Sequence, residues 1–476
     1  MKPKLLIPLL LLLTAFRAAW VLSHEVSPSE AYYWMCSHRL AAGYFDGPAG
    51  TAFLVRAFGE NFELARVFWP VLGFFCSCSA WLFVRRIYDV PTAGWCVVLL
   101  NLLPVFNLAA TGVGPLMPAL VSVLAGLVFA RAAWDGRRWA WIGAGLFFSV
   151  AQLFSYEAVL VPAGLILCAL FNARHRTPAD LLGFVMIAVL CVAAMFPALY
   201  WNASLDWIPI AGGTWRTAWE FRLVPFLESL GEFAMAFSVP VVAMFVIGLG
   251  LLFQDARRHG RAAFVVAACA AAWGWAAYVL LRGGNAVPAG LFGTVALAAF
   301  VIFLAQKSRF ALPLGTFVLF VAFLTSGYSL REAGLVSWKS VAAELHTAVR
   351  DLPAAEGDGF FIAENASQAA VLGRYFPDGG MYPPVFVPES PDISNQFGVW
   401  PSYGDFVESE VVTDEYFKEQ KGVNPFLGRN AIYLGQELPQ TIKAAFEDVQ
   451  PYRKIDLPDG RKFTIYFCLG YQTLPL

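Results

Sequence analysis

Apolar stretches long enough to cross a lipid bilayer, about 17 to 25 residues each, recur from Leu5 to Tyr328 and constrain this chain more than any other feature. They run Leu5 to Leu22, Val67 to Val84, Thr92 to Ala110, Pro115 to Ala133, Trp139 to Phe154, Ala158 to Phe171, Leu181 to Trp201, Leu230 to Phe253, Ala262 to Leu281, Val287 to Ala305 and Phe310 to Tyr328. Backbone N–H and C=O groups inside lipid have no water to bond, so each stretch is expected to be a helix. The expected fold is a polytopic α-helical membrane protein of about eleven spans. Composition agrees: 58% of the 476 residues are apolar and 14% charged, whereas soluble domains carry about 25% charged residues. The formal net charge of −1 supplies no basic field for nucleic acid.

Positive charge alternates from loop to loop. Arg85-Arg86, then Arg131 with Arg137-Arg138, then Arg174 and Arg176, then Arg257-Arg258 with Arg261, then Lys307 and Arg309 occupy every second connection. Loops rich in Lys and Arg stay cytoplasmic, so the N-terminus is expected inside and residues after Ser329 outside, in the same compartment as Ser27 to Pro48. Lys2, Lys4 and the small residues after Arg17 also fit a cleaved signal peptide. A retained helix is expected instead, because removing it would spoil the alternation.

From about Leu330 the composition becomes that of soluble material. FFIAEN and NAIYLG read as strands, SQAAVLGRYF as a helix capped by Ser367, TIKAAFED as another helix, and KIDLPDGRKFTIYF as a hairpin turning at Pro458-Asp459-Gly460. The expected domains are residues 1–329 in the membrane and a soluble α/β domain over 330–476. Eight cysteines without a CxxC pair, most of them in apolar runs, read as packing residues, and no metal site is expected.

The loop from His24 to Arg66 spends about 40 residues where a simple connection needs fewer than ten. Ser27, Pro28 and Glu30 have the order of N-cap, first helical position and first-turn acid. Tyr32, Tyr33 and Trp34 suit a helix lying in the membrane interface. Two readings stand for Glu30: a helix cap, or a general base raised toward working range by burial beside lipid. Asp46, in YFDGP, is a second acid in the loop. Arg17, late in the first span, either snorkels outward or meets an anion. Arg216 and Arg222 lie among tryptophans in Trp201 to Leu230, where they suit a phosphate or plain headgroup anchoring.

The stretch SEAYYWMCSHRLAAGYFDGPAGTAFLVRAFG resembles the first outer loop of bacterial GT-C glycosyltransferases of the family 39 type, relatives of the protein O-mannosyltransferases and of the lipid A aminoarabinose transferase. That loop reads DEAYYW, a short helix, then GYYDHPP. FSYEAVLVPAGLIL is similar to the family's SKYTAVLLPPGLLL, FPALYWNASLDW to PxLxWNxxHxW, GNAVPA to NWxAP and NQFGVW to NQYDLW.

The resemblance implies a glycosyltransferase of the bacterial inner membrane, with a periplasmic C-terminal domain. It would take a sugar from a polyprenyl-phosphate donor and pass it, with inversion, to a lipid, glycan or protein acceptor. Glu30 would be the base and Asp46 its support or the acceptor's guide. Arg216, Arg222 and Arg282 would lie near the donor phosphate, with Tyr32, Tyr33, Tyr156, Asn202 and Asn285 beside phosphate and lipid. No cofactor is implied. Four family polar positions differ: Ser29 stands for Asp, Leu116 for Asp, Ser155 for Lys and Gly47 for His. A catalytically degenerate lipid-binding or assembly protein is the alternative. A transporter fits less well, because the charges lie at span ends and not at mid-membrane.

Overall fold

Burial inside apolar helices leaves few ways to satisfy a broken backbone, and this chain breaks two of its apolar stretches. The computed structural model describes residues 3–171, 177–211, 221–256, 260–306, 311–333, 337–355, 359–376, 384–390, 393–404, 424, 426–456 and 462–472. In chain order the first elements are α1 (Pro3–Ser23), α2 (Pro28–His38), β1 (Gly43–Tyr44), β2 (Gly47–Pro48), α3 (Gly50–Arg56), α4 (Phe62–Ile87), α5 (Val90–Leu102), α6 (Pro104–Thr111), α7 (Leu116–Trp134) and α8 (Ala140–Gln152). Then come α9 (Leu160–Phe171), α10 (Pro178–Ser204), α11 (Ile208–Ala211), α12 (Leu223–Phe237), α13 (Val239–Ala256), α14 (Gly260–Leu281), α15 (Val287–Ala305) and α16 (Ala311–Ala333). The last are α17 (Trp338–Asp351), β3 (Phe360–Ala363), α18 (Ala366–Gly373), β4 (Ala431–Gly435), α19 (Gln440–Ala445), β5 (Phe446–Asp456) and β6 (Lys462–Tyr471).

Contacts divide the chain into two units. The first holds Met1–Ser23 and Leu40–Glu332, the second His24–Arg39 and Ala333–Leu476. The long first loop is therefore divided: α2 belongs with the C-terminal domain, and the hairpin β1–β2 with the helical unit.

The helical unit is a multi-pass membrane bundle. Each predicted apolar stretch falls on a described helix or bent pair. Six described helices are long and apolar enough to cross a membrane, or eight with each bent pair taken as one span. The count of about eleven would need three shorter apolar helices as well, Ala140–Gln152, Tyr156–Cys168 and Gly315–Gly327, whose described lengths fall below that mark. Of the loop charges, Arg174, Arg176, Arg257, Arg258, Lys307 and Arg309 lie outside the described residues.

The bends have local causes. Leu103 precedes Pro104, whose ring drives it out of helical conformation to φ −70°, ψ 132°, and α5 and α6 diverge by 69°. Ser238, with φ 70°, precedes a second bend of 98° between α12 and α13. At the first break Asn107 donates through Nδ2 to the carbonyls of Asn101 (2.9 Å) and Leu103 (3.2 Å) and to Ser326 Oγ (2.7 Å). Its Oδ1 then faces Arg17, accepting from Nε (3.2 Å) and Nη2 (2.5 Å), while Asn101 Oδ1 accepts from Nη1 (3.0 Å). Arg17 is 3% exposed and stands 5.3 Å over the Phe106 ring. It neither snorkels nor meets an acid: among the described residues no carboxylate pairs with it.

The second unit contains a four-stranded sheet in the order β3-β4-β6-β5. Strands β3 and β4 are parallel, with Phe360 opposite Ala431, and the other pairs antiparallel, with Ala431 opposite Cys468. Phe360, Phe386, Tyr403, Tyr433, Phe446 and Tyr471 fill the core. Helix α17 is tied to β5 by Arg453 and Glu344 at 2.6 Å and by a Tyr452 hydroxyl donating to Asp351. Two local expectations are corrected. Asn365, not Ser367, caps α18, because its Oδ1 accepts from Gln368 N–H (3.1 Å). Helix α19 ends at Ala445, and Phe446 to Asp448 enter β5, where Phe446 pairs with Tyr471. The expected turn at Pro458 to Gly460 lies outside the described residues. The eight cysteines are free. Burial pushes the Cys468 thiol up to about 12, which keeps it a neutral packing group.

Replacing Asn107 with Leu removes the acceptor of a buried cation and the side-chain donor to the Asn101 carbonyl at the break, so a loss of about 3 kcal/mol is expected. Thermal unfolding in detergent, compared across Asn107→Leu, Arg17→Met and the double variant, should show strong non-additivity. Simple additivity would mean that the two side chains are not coupled.

Candidate functional site

In the helical unit, the predicted residues lie on or beside the loops that join α3, α8 to α10, α12, α14 and α15. The hairpin pairs Gly43 with Pro48 and Tyr44 with Gly47, leaving Phe45 and Asp46 at its tip. Asp46 is exposed and has an interaction partner. Two glycines seat this hairpin. A Cβ on Gly43 would fall 2.9 Å from the Trp201 ring, and one on Gly50 would fall 2.3 Å from the Leu153 carbonyl oxygen. Gly50 N–H donates to that same oxygen at 2.8 Å. Gly47 has φ 151°, a backbone that L side chains rarely adopt, so the His of the family motif would be strained here.

Asn202, fully buried at the C-terminal end of α10, donates through Nδ2 to Tyr156 Oη (3.0 Å) and to Ala198 O (2.8 Å). Ala198 O can only accept, which fixes the amide orientation. Both amide hydrogens are thus engaged, and Asn202 Oδ1 is buried with no partner among the described residues. Nearby, Ser155 Oγ donates to Glu157 Oε2 at 2.7 Å. The position where the family motif carries a Lys therefore holds a hydroxyl bound to a carboxylate.

The turn Tyr156–Val159 packs on α15, whose start is fixed by Asn285 Oδ1 accepting from Val287 N–H (3.1 Å). Arg282 is half-buried in the turn after α14, and Gly283 beside it, with φ 71°, approaches Pro225 so closely that a Cβ would lie 2.5 Å from Pro225 Cβ. Arg222, exposed at the N-cap of α12, stands three residues from Pro225. The structure thus brings the Arg222 and Arg282 segments together. Arg216 lies outside the described residues.

In the second unit, Glu30 is 3% exposed in a complete capping box. Ser27 N–H donates to Glu30 Oε2 (2.9 Å) and Glu30 N–H donates to Ser27 Oγ (3.3 Å). Ser29 Oγ lies 3.2 Å from Ser27 Oγ. Tyr32 and Tyr33, half-buried, meet edge to face at 5.2 Å. Glu30 and Asp46 belong to different units.

Sequence reasoning missed Arg66, buried beside Glu63 at 2.9 Å at the start of α4. Its signal was present: Phe62, Ala65, Arg66 and Trp69 share the buried face at helical spacing. Among the described residues no group of three His, Cys, Asp or Glu side chains could hold a metal ion.

The fold has known counterparts. A family profile described as dolichyl-phosphate-mannose-protein mannosyltransferase matches residues 48–201, from the end of the hairpin into α10. The structure is similar to ArnT from Cupriavidus metallidurans bound to undecaprenyl phosphate, with a TM-score of 0.56 and 14% identity over 97% of each chain. The chain has the GT-C fold. The apo state of the same ArnT gives 0.56 and 13% over 98% of each chain. The Archaeoglobus fulgidus oligosaccharyltransferase tethered with an acceptor peptide gives 0.51 and 11%, over 89% of this chain and 69% of that one. No curated protein sequence matches.

Gly50→Ala drives a methyl against a backbone carbonyl that no rotamer change can move, so the GT-C bundle should lose about 1–3 kcal/mol. Gly114→Ala, with nothing within 4 Å of the added carbon, should change stability by no more than about 0.5 kcal/mol. Thermal unfolding of both variants reads the contrast, and equal effects would contradict the packing described.

Proposed function

We propose that this protein is a membrane glycosyltransferase that moves a sugar from a polyprenyl-phosphate donor to a lipid, glycan or protein acceptor, with inversion. The observation that carries this is the fold shared along 97% of both chains with a protein solved with undecaprenyl phosphate bound. In the proposed step an acceptor hydroxyl attacks the anomeric carbon and its proton passes to the Glu30 carboxylate. The bond from that carbon to the phosphate oxygen breaks, and polyprenyl phosphate leaves with the electron pair. The bond from Ser27 N–H to Glu30 Oε2 orients the carboxylate that takes this proton.

Asp46 orients the acceptor. Arg222 and Arg282, and Arg216 with them, offset the charge of the leaving phosphate, and Tyr32, Tyr33, Tyr156 and Asn285 line the lipid. Asn202, fully buried, holds the Tyr156 hydroxyl through its Nδ2 bond and so acts on the lipid side through Tyr156. The protein is placed in a bacterial inner membrane with the N-terminus cytoplasmic and the second unit periplasmic, as the alternation of positive loops supports.

A second reading has its own observation. The Ser155–Glu157 bond sets a carboxylate beside the position where the family motif has a Lys, and like charge there opposes a phosphate. Together with the engagement of Glu30 in a cap, this supports a lipid-binding member that transfers nothing.

Glu30→Gln separates the cases, because Gln completes a capping box as well as Glu does but cannot take the proton. Transfer of labelled sugar from polyprenyl-phosphate donors should fall about 10²- to 10⁴-fold in this variant, with thermal stability nearly unchanged. Unaltered turnover would rule out Glu30 as base. No turnover in the parent protein with any donor, despite saturable lipid binding, would favour the second reading.

A further inference from the structure

The sequence places Glu30 in a loop between the first two apolar stretches, yet the helix that carries it is built into the C-terminal domain. Three contacts sew the segment His24–Arg39 to residues more than 300 positions away. Glu25 caps α17: its Oε1 accepts from Ser337 Oγ (2.9 Å) and its Oε2 from Lys339 N–H (3.1 Å). The Arg374 guanidinium lies 5.3 Å over the Trp34 ring, a cation on an aromatic face. Met35 is fully buried, and a Cβ on Gly373 at the end of α18 would stand 3.5 Å from its sulfur. Ala31, Met35 and Cys36, all fully buried, form the face of α2 that helix packing needs, and α18 packs against α2.

We propose that Glu25 and Arg374 are positioning residues for Glu30, so that the C-terminal domain sets where the base stands. This rests on the reading of Glu30 as the base. Helix α2 has 11 residues, below the about 12 to 15 at which an isolated helix becomes even marginally stable. Its cap alone therefore does not hold it, and the contacts with α17 and α18 do. Glu25 fixes the chain just ahead of Ser27, while Arg374 and Gly373 fix the turn after Glu30. Between them they restrain both the axis of α2 and its rotation, the two degrees of freedom that aim the carboxylate.

The test uses the full-length protein in detergent or nanodiscs, with Glu25→Ala and Arg374→Ala beside the conservative Glu25→Gln and Arg374→Lys. Amide hydrogen exchange over residues 27–38 should accelerate at least about tenfold in each Ala variant, with less change in the conservative pair. Transfer should show kcat reduced about ten- to a hundredfold by misplacement of the base, while KM for the lipid donor stays within about twofold. Gln and Lys should restore most of kcat. Unchanged exchange over 27–38 in both Ala variants would overturn the proposal whatever the activity. Faster exchange with unchanged kcat would overturn it as well, since α2 would then loosen without consequence for the chemistry. Failure of the base assignment is read separately: Glu30→Gln would retain full turnover, while the exchange result would still report whether the domain holds α2.

Discussion

Arg17 carries a positive charge into the interior of the helical unit, where water cannot solvate it, and the two asparagines that meet it lie on the two halves of a broken helix. Neither feature is stable alone. A break inside a membrane bundle frees carbonyls that must find donors, and a buried guanidinium must find acceptors. Asn107 answers both at once, giving its amide hydrogens to Asn101 O, Leu103 O and Ser326 and its oxygen to Arg17. Through that one amide α1, α5, α6 and α16 become parts of a single polar cluster. Five N–H groups of a guanidinium have fixed directions, so the cluster fits the 69° bend that Pro104 starts.

Much of this fold was legible because lipid imposes strong rules. Length and apolarity located the helices, and the order Ser27, Pro28, Glu30 gave the α2 cap in full because a capping box is encoded within four residues. The sheet strands were legible from β-branched and aromatic runs for the same local reason. What failed was non-local or degenerate. Asn365 and Ser367 are both good N-caps, and in the fold Asn365, with extended backbone, takes the position. Phe446 to Asp448 read as the end of a helix until pairing with β6 wins over helix propensity. The partners of Arg17 lie 84 and 90 positions away, and no periodicity within α1 reveals them.

The candidate site shows a different limit. Sequence listed polar residues by type, whereas their atoms are already allocated. The resemblance implied Asn202 beside phosphate and lipid, and in the fold Tyr156 and Ala198 take both of its amide hydrogens. Asn285 likewise begins α15. The departures from the family motif also acquire physical content. Gly47 suits a backbone that a side chain would strain, and Ser155 serves Glu157. These are local adjustments of packing and charge, so the reaction proposed here leans on the arginines at the ends of α12 and α14, where Gly283 closes on Pro225.

The division of the first loop bears on how such a chain can be cut. The backbone passes between the units at Ser23 to His24, at Arg39 to Leu40 and again at Glu332 to Ala333. A domain attached by one linker can be removed with little effect on the remainder. Here a cut at Ala333 would strand residues 24–39, taking away α17, which Glu25 caps, and α18, against which Met35 packs. The C-terminal sheet, far from Glu30 in sequence, thus belongs to the same folding unit as the acid on which the proposed chemistry depends. In chain order α2 follows the first apolar helix; the packing of Ala31 and Met35 assigns it to the second unit, and tertiary contact outranks chain order.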